Sequence, residues 1–204
     1  MTRGFPVLLA LVLAAGLAAL ACETNGFRVM TSAGARQLSL QRAPQRLPDA
    51  RLVDQDGAQF SLGGYRGRTV LVDFIYTRCP IVCGVRGDDF ANARRLIKAT
   101  GSSAPVDLLS ISFDLRHDDR EALRLYGERF GAEAPHWRIA APADAQQLAE
   151  LLRSFGVVVI PDGMGGFVHN AAVYVIDARG RLAGILDADP VPQLVAAALR
   201  VAAP

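Results

Sequence analysis

The pattern of apolar and polar residues divides the chain into an apolar N-terminal run, a polar stretch and a longer region of alternating segments. No charged residue occurs from Phe5 to Cys22, where Leu, Ala and Val dominate, and Arg3 precedes this run. Its 18 residues exceed the apolar region of a typical export signal and fall just below the roughly 20 residues of a membrane-spanning helix. The pattern therefore predicts a targeting segment at residues 1–22, a tether at 23–48 and one domain at 49–204.

The end of the apolar run carries a candidate processing site. Ala19-Leu20-Ala21 has the small-x-small pattern of a cleavage site, and Cys22 follows it. This arrangement resembles a bacterial lipoprotein signal, in which the cysteine is lipidated after cleavage, so Cys22 is the predicted lipidation site. An uncleaved membrane anchor and simple secretion are the alternatives. All three place the domain outside the cytoplasm, and we expect it on the periplasmic side of the bacterial cell membrane, tethered through its N-terminus.

The domain alternates strand-like and helix-like patterns. Continuous β-branched and aromatic runs at 69–76 and 106–113 are typical of strands buried on both faces of a parallel sheet. Helical spacing, with a glycine near each C-terminus, predicts helices that end near residues 99, 130 and 155. Weaker patterns predict short strands at 137–139 and 157–160, hairpins at 51–62 and 171–186, and a last helix at 191–201. This order predicts an α/β, thioredoxin-like, three-layer domain with a mixed sheet.

Composition narrows the classes of function. Of the 204 residues, 51% are hydrophobic and 21% are charged, with a formal net charge of +2. Such a chain forms a packed core and is not intrinsically disordered. Because a nucleic-acid binder needs a clustered basic surface to neutralise phosphates, this balance argues against nucleic acid as a partner. The three cysteines are too few for a disulfide-stapled domain.

The chemistry of the domain is predicted at Cys79 and Cys83, which stand where a buried strand turns into a helix. Unpaired backbone N–H groups and the positive end of the helix dipole favour thiolates there. Thiolates are both nucleophiles and ligands for soft metal ions, so the pair predicts either thiol-disulfide chemistry or a metal site. A purely structural disulfide is the third alternative, although so short a loop would stabilise the domain by only about 2 kcal/mol.

A third ligand would distinguish a metal site from redox chemistry, and the chain has three histidines. His117 lies among charged residues, which is typical of a solvated loop, and His136 stands beside an aromatic residue against which it can pack. His169 precedes an apolar strand, at the place where thioredoxin-like oxidoreductases keep a cis-proline facing the cysteines. Two thiolates and an imidazole suit Cu(I) and can also hold Cu(II). A histidine that only forms hydrogen bonds in a loop is the alternative.

Three stretches of the sequence carry a family resemblance. Residues 73–83, Asp-Phe-Ile-Tyr-Thr-Arg-Cys-Pro-Ile-Val-Cys, resemble the Phe-x-Tyr-Thr-x-Cys-Pro-x-x-Cys segment of the SCO/SenC copper chaperones of cytochrome c oxidase assembly. Ser112-Phe113-Asp114, with Asp118 four residues beyond Asp114, resembles the Ser-Val-Asp-Pro-x-x-Asp stretch of that family. Residues 169–180 resemble its histidine-containing strand and turn, and the resemblance extends over about residues 49–201.

The resemblance implies a membrane-tethered, extracytoplasmic metallochaperone rather than an enzyme. It implies that copper binds through Cys79, Cys83 and His169, and that a copper-containing cytochrome c oxidase subunit is the partner. Another periplasmic copper chaperone or a thiol reductant is a further implied partner. The alternative function is a thiol-disulfide reductase, in which Cys79 attacks a partner disulfide and Cys83 resolves the mixed disulfide.

Overall fold

The computed structural model describes residues 4–23, 32–79, 82–187 and 189–202. Within these ranges the side chains at fourteen positions, that of Cys83 among them, lie outside the description. The chain divides into two compact units, Met1–Arg42 and Ala43–Pro204. The helices are α1 (Gly4–Glu23), α2 (Ser32–Arg42), α3 (Val82–Ala99), α4 (Arg120–Phe130), α5 (Ala145–Phe155) and α6 (Val191–Ala202), with a short 3₁₀ helix at Leu62–Tyr65. The strands are β1 (Gln45–Arg46), β2 (Arg51–Asp54), β3 (Gln59–Ser61), β4 (Thr69–Ile75), β5 (Val106–Ser112), β6 (Trp137–Pro142), β7 (Val159–Pro161), β8 (Phe167–His169), β9 (Val173–Ile176) and β10 (Arg181–Leu186).

The first unit contains α1 and α2. The apolar run forms α1, and Cys22 is exposed near the end of this helix. The second helix, α2, lies within the predicted tether, where the sequence has no clear period. Within the described ranges, no helix combines the length and the apolar character that crossing a bilayer requires. The predicted domain boundaries and the lipidation of Cys22 stay predictions.

The second unit is built on an eight-stranded mixed sheet in the order β1-β10-β9-β4-β5-β6-β2-β3. Strand β5 runs parallel to β4 and to β6, whereas the outer strands pair antiparallel. Every residue of β4 and β5 is buried, as their uninterrupted apolar runs predict for strands covered on both faces. A separate two-stranded sheet is formed by β7 and β8.

Helices cover both faces of the large sheet. The ring of Phe90 on α3 packs against Trp137 of β6, at 5.9 Å between ring centroids. Phe155 of α5 instead contacts Phe74 of β4, at 5.2 Å between centroids. The strand register and the alternation of side chains place Phe74 and Trp137 on opposite faces. Since α6 packs against α3, the order is helices, sheet, helix, which confirms the predicted three-layer α/β architecture.

Helix ends follow local signals in the sequence. Asp119 caps α4 and Asp144 caps α5, because each carboxylate accepts a hydrogen bond of 2.9 Å from a backbone N–H in the first turn. Gly131 and Gly156 end these helices in the left-handed conformation, at φ values of 70° and 68°. Helix α4 begins at Arg120, after Asp118, whose carboxylate accepts hydrogen bonds from Thr77 and Ser112.

Two short segments differ from their sequence patterns. Strand β6 reaches Pro142, beyond the predicted residues 137–139, because β5 pairs with it on one side and β2 on the other. The segment at 157–160 contributes to β7, which pairs antiparallel with β8. His169, expected in a loop, therefore ends a strand.

Candidate metal site

The cysteine segment leaves the sheet at the carboxyl end of β4. Cys79 is half-buried, and its backbone N–H donates to the carbonyl oxygen of Tyr76 at 3.1 Å, which forms a tight turn. Helix α3 begins at Val82, so Cys83 lies in its first turn. Both cysteines thus occupy the predicted strand-to-helix junction. The side chain of Cys83 lies outside the described part of the chain.

His169 lies at the end of β8, paired with Val159 of β7. Its ring contacts Phe113, at 5.0 Å between centroids, and Tyr76, at 6.5 Å. Both ring nitrogens are buried, and among the described residues neither has a hydrogen-bond partner. Burial lowers the pKa of His169, which favours the neutral imidazole that ligates metal ions.

Tyr76 ties the hairpin of β7 and β8 to the cysteine segment. Its hydroxyl donates to the carbonyl oxygen of Phe167 and accepts from the backbone N–H of the same residue, each at 3.4 Å. The rings of Tyr76 and Phe167 stack edge to face at 5.2 Å between centroids. Gly166 permits this approach, because a Cβ there would lie 2.5 Å from Asp162 Oδ2 and 3.3 Å from the Tyr76 hydroxyl.

Arg78 forms a second link between the cysteine segment and the hairpin. Its Nη2 donates to Asp114 Oδ2 at 2.8 Å and to the carbonyl oxygen of Gly165 at 3.2 Å. His117 Nδ1 lies 3.0 Å from the same nitrogen and 2.9 Å from Asp114 Oδ1. Burial would raise the pKa of Asp114, but the hydrogen bonds with Arg78 and His117 outweigh it and lower the pKa. Asp114 therefore remains a carboxylate that anchors Arg78.

Asp118 holds the cysteine segment from the carboxyl end of the neighbouring strand β5. Its carboxylate is 4% exposed and accepts from the backbone N–H of Thr77 at 2.9 Å and from the Thr77 hydroxyl at 2.7 Å. The Ser112 hydroxyl donates to the same carboxylate at 2.5 Å. Parallel strands bring their carboxyl ends to one edge of a sheet, which explains why Asp118 meets a segment 41 residues earlier.

Comparison with known proteins identifies the family. The SCO1/SenC family model matches residues 41–203, which is most of the chain. The chain belongs to the SCO1/SenC family.

Individual relatives match well over half of the chain at low sequence identity. The SCO1 protein homolog of Bacillus subtilis (strain 168) is 24% identical over 131 residues, which cover 63% of this chain and 67% of that protein. A SCO1/SenC family lipoprotein from Bacillus anthracis superposes with a TM-score of 0.70 and 22% identity, covering 79% of this chain and 99% of that one. The copper-bound structure of Bradyrhizobium japonicum ScoI gives a TM-score of 0.65 at 24% identity, covering 76% and 99%. These superpositions confirm the predicted thioredoxin-like fold.

Each of the other two histidines of this SCO1/SenC protein has a carboxylate partner. His117 is half exposed and bound to the Arg78–Asp114 pair, as expected for a polar loop. His136 places its Nδ1 3.1 Å from Asp107 Oδ1, so it pairs with a carboxylate and does not pack only against its aromatic neighbour. Of the three histidines, His169 is the one whose ring nitrogens lack partners within the described region.

The residues near His169 fit copper by the chemistry of their donors. A neutral imidazole and a thiol beside the N-terminus of a helix are ligands that suit Cu(I) or Cu(II). The described side chains alone do not bring together a group of three His, Cys, Asp or Glu that could hold a metal ion, and they form no disulfide. Cys83 is not among those side chains, so the predicted set of Cys79, Cys83 and His169 stays a prediction.

Two contributors to the site have only weak signals in the sequence. The cluster of Tyr76, Phe113 and Phe167 around His169 is visible as single aromatic residues beside each motif, but nothing local shows that they meet. Arg78 precedes Cys79 directly, and only the tertiary contact with Gly165 reveals its link to the hairpin.

Proposed function

We propose that this SCO1/SenC protein is a membrane-tethered, extracytoplasmic copper metallochaperone that binds copper through Cys79, Cys83 and His169. The observation that carries the proposal is the ring of His169, whose two nitrogens are buried and, among the described residues, have no hydrogen-bond partner. Hydrogen bonds from Tyr76 to Phe167 and from Arg78 to Gly165 link its hairpin to the cysteine segment. A buried imidazole without a hydrogen-bond partner is costly unless it binds something. Copper supplies that partner.

The acceptor of the copper is proposed to be the copper centre of a cytochrome c oxidase subunit. One relative of similar fold is described as a member of the Sco family of cytochrome c oxidase assembly proteins, and three are described as copper-bound. The half-buried position of Cys79 supports transfer, because an incoming ligand can reach its sulfur. Another copper chaperone or a thiol reductant would load or reduce the site beforehand.

The proposed location rests on the N-terminal residues. Cys22 is exposed and follows the small-x-small pattern, which suits lipidation on the periplasmic side of a bacterial membrane. An uncleaved anchor is the alternative tether. Mass spectrometry of the mature protein tests both, since a lipidated protein begins at Cys22 and carries the added acyl mass.

The experiment that tests copper binding compares His169→Ala with His136→Ala in the reduced protein. We expect one Cu(I) per chain in competition with a chromophoric chelator, and a loss of affinity of at least 10-fold in His169→Ala, because one of three ligands is gone. His136→Ala removes a histidine outside the site and should bind as the wild type does. Equal affinities for all three proteins would exclude the three-ligand site.

A thiol-disulfide reductase is the second candidate function, favoured by the position of Cys79 at the turn before α3, where the helix dipole stabilises a thiolate. Reduction of a partner disulfide and transfer of copper to an oxidase copper domain can be measured on the same preparation. Transfer that depends on His169, with little reductase turnover, supports the chaperone. Rapid turnover that survives His169→Ala supports the reductase.

A further inference from the structure

Asp73 is a buried carboxylate in the middle of the sheet. It lies on β4, it is 2% exposed, and among the described residues neither of its oxygens has a hydrogen-bond partner. Leaving a buried acid without a partner costs free energy, so its surroundings must compensate for it or use it. Its neighbours on β4, Val72 and Phe74, are apolar, and Ser110 of β5 lies opposite it in the sheet.

A small cavity connects Asp73 to the candidate copper site. Asp73, Arg86 and His169 line it, together with Phe74, Ile75, Ala171 and Ala172, and its volume is about 10 Å³. This is about the space that one water molecule needs. Arg86 is engaged elsewhere, since its guanidinium donates to the Ala171 carbonyl oxygen at 3.1 Å and to Asp89 Oδ2 at 3.4 Å. Among the described side chains that line the cavity, those whose buried polar atoms have no hydrogen-bond partner are therefore Asp73 and His169.

A histidine that binds a metal ion through one ring nitrogen carries a proton on the other. That N–H is normally donated to a carboxylate, a carbonyl oxygen or a water, which fixes the tautomer and the orientation of the ring. No described residue accepts it directly from His169. A water in the cavity can accept the N–H and donate to a second acceptor, and Asp73 is the acceptor that lines the same space.

We propose that Asp73 is a positioning residue for His169, acting through one water held in the cavity that both side chains line. The His169 N–H donates to the water, and the water donates to the Asp73 carboxylate. This bridge selects one neutral tautomer of His169 and leaves its other ring nitrogen free for copper. The effect on copper rests on the proposed function, whereas the effect on the tautomer does not.

The test uses Asp73→Asn and Asp73→Leu in the full chain. Asparagine keeps the shape but loses the charge-assisted hydrogen bond, and leucine fills the cavity and removes the acceptor. Thr69→Val is the matched control, because Thr69 lies on the same strand, is 1% exposed and has a hydroxyl that is also unpartnered among the described residues, yet it does not line the cavity.

The first measurement is the tautomer of His169 in the metal-free protein, from the ¹⁵N chemical shifts of its ring. We expect a single tautomer in the wild type and in Thr69→Val, and a mixture in Asp73→Leu. The second measurement is Cu(I) affinity at one mildly alkaline pH, where we expect a loss of about 10-fold in Asp73→Asn and more in Asp73→Leu.

Unchanged tautomer populations in both Asp73 variants would overturn the bridge. An altered tautomer with unchanged copper affinity would overturn the positioning role. If the wild type binds no copper at all, the proposed function fails, while the tautomer measurement still decides whether Asp73 acts on His169.

Discussion

A single buried carboxylate, Asp118, fixes the loop that carries Cys79. It accepts three hydrogen bonds, two from Thr77 and one from Ser112. It therefore connects the segment that follows β4 with the last residue of β5. Its neighbour Asp119 has the separate task of capping α4. Adjacent aspartates in the sequence thus have unrelated roles, one tertiary and one local.

Replacing Asp118 by asparagine tests this difference. We expect Asp118→Asn to lower the free energy of unfolding by about 1–3 kcal/mol, because a buried donor loses a charged acceptor. Asp119→Asn is the matched control and should change it by less than about 0.5 kcal/mol, since asparagine is an equally good N-cap. Urea unfolding of the metal-free proteins measures both. Equal stabilities of the two variants would contradict the assigned role of Asp118.

The hairpin of β7 and β8 is the element that brings His169 to the cysteine segment. A two-stranded sheet is marginally stable on its own in water, so its position depends on what holds it. Here the inner face carries Phe167 and His169, which pack on Tyr76 and Phe113, and Arg78 binds the loop between the strands. Asp162 orders the same loop by accepting from the backbone N–H groups of Met164 and Gly166, and these hydrogen bonds lower its pKa.

Loss of the Arg78 link should loosen this hairpin. We expect Arg78→Gln to increase the rate of hydrogen–deuterium exchange at the backbone amides of residues 159–169 about 10-fold, because hydrogen bonds from a charged donor are lost. Copper release should become faster in parallel. Arg116→Gln, which removes an exposed arginine from the loop after β5, is the control for the change in net charge. Uptake that rises equally in both variants would show that charge, and not the link to Gly165, is responsible.

At the scale of the whole molecule, burial of Asp73 makes folding depend on pH. Burial raises the pKa of Asp73 to about 7, from an ordinary value of 3.8, because the charged form is desolvated within the sheet. The folded state therefore holds this proton more tightly than the unfolded chain. The contribution of this proton to the free energy of unfolding is fully present below pH 3.8 and is lost as pH rises through about 7.

The expected result is a difference between the pH dependence of the wild type and that of Asp73→Asn. Between about pH 4 and pH 8 the metal-free wild type should lose up to about 4 kcal/mol of unfolding free energy relative to Asp73→Asn. Thr69→Val should follow the wild-type slope, because it removes no titrating group. Parallel curves for wild type and Asp73→Asn, measured by urea unfolding at a series of pH values, would contradict a raised pKa.

The sequence by itself determined the order of the elements and the candidate donors. The strands β4 and β5 are evident from continuous apolar runs, and α4 and α5 from the glycines that end them, with helical spacing as a further signal in α5, because these signals lie within a few residues. The cysteine pair at a strand-to-helix junction is likewise local. These features also sufficed for the thioredoxin-like fold and for the resemblance to SCO/SenC proteins.

The tertiary structure decided what surrounds those donors. The contact of Tyr76 with Phe167 spans 91 residues, that of Arg78 with Gly165 spans 87, and that of Thr77 with Asp118 spans 41. The pairing of β7 with β8 and the cavity shared by Asp73 and His169 depend on such contacts as well. No local pattern encodes them, because hydrogen bonds and burial between distant segments arise only when the sheet brings the carboxyl ends of its strands together.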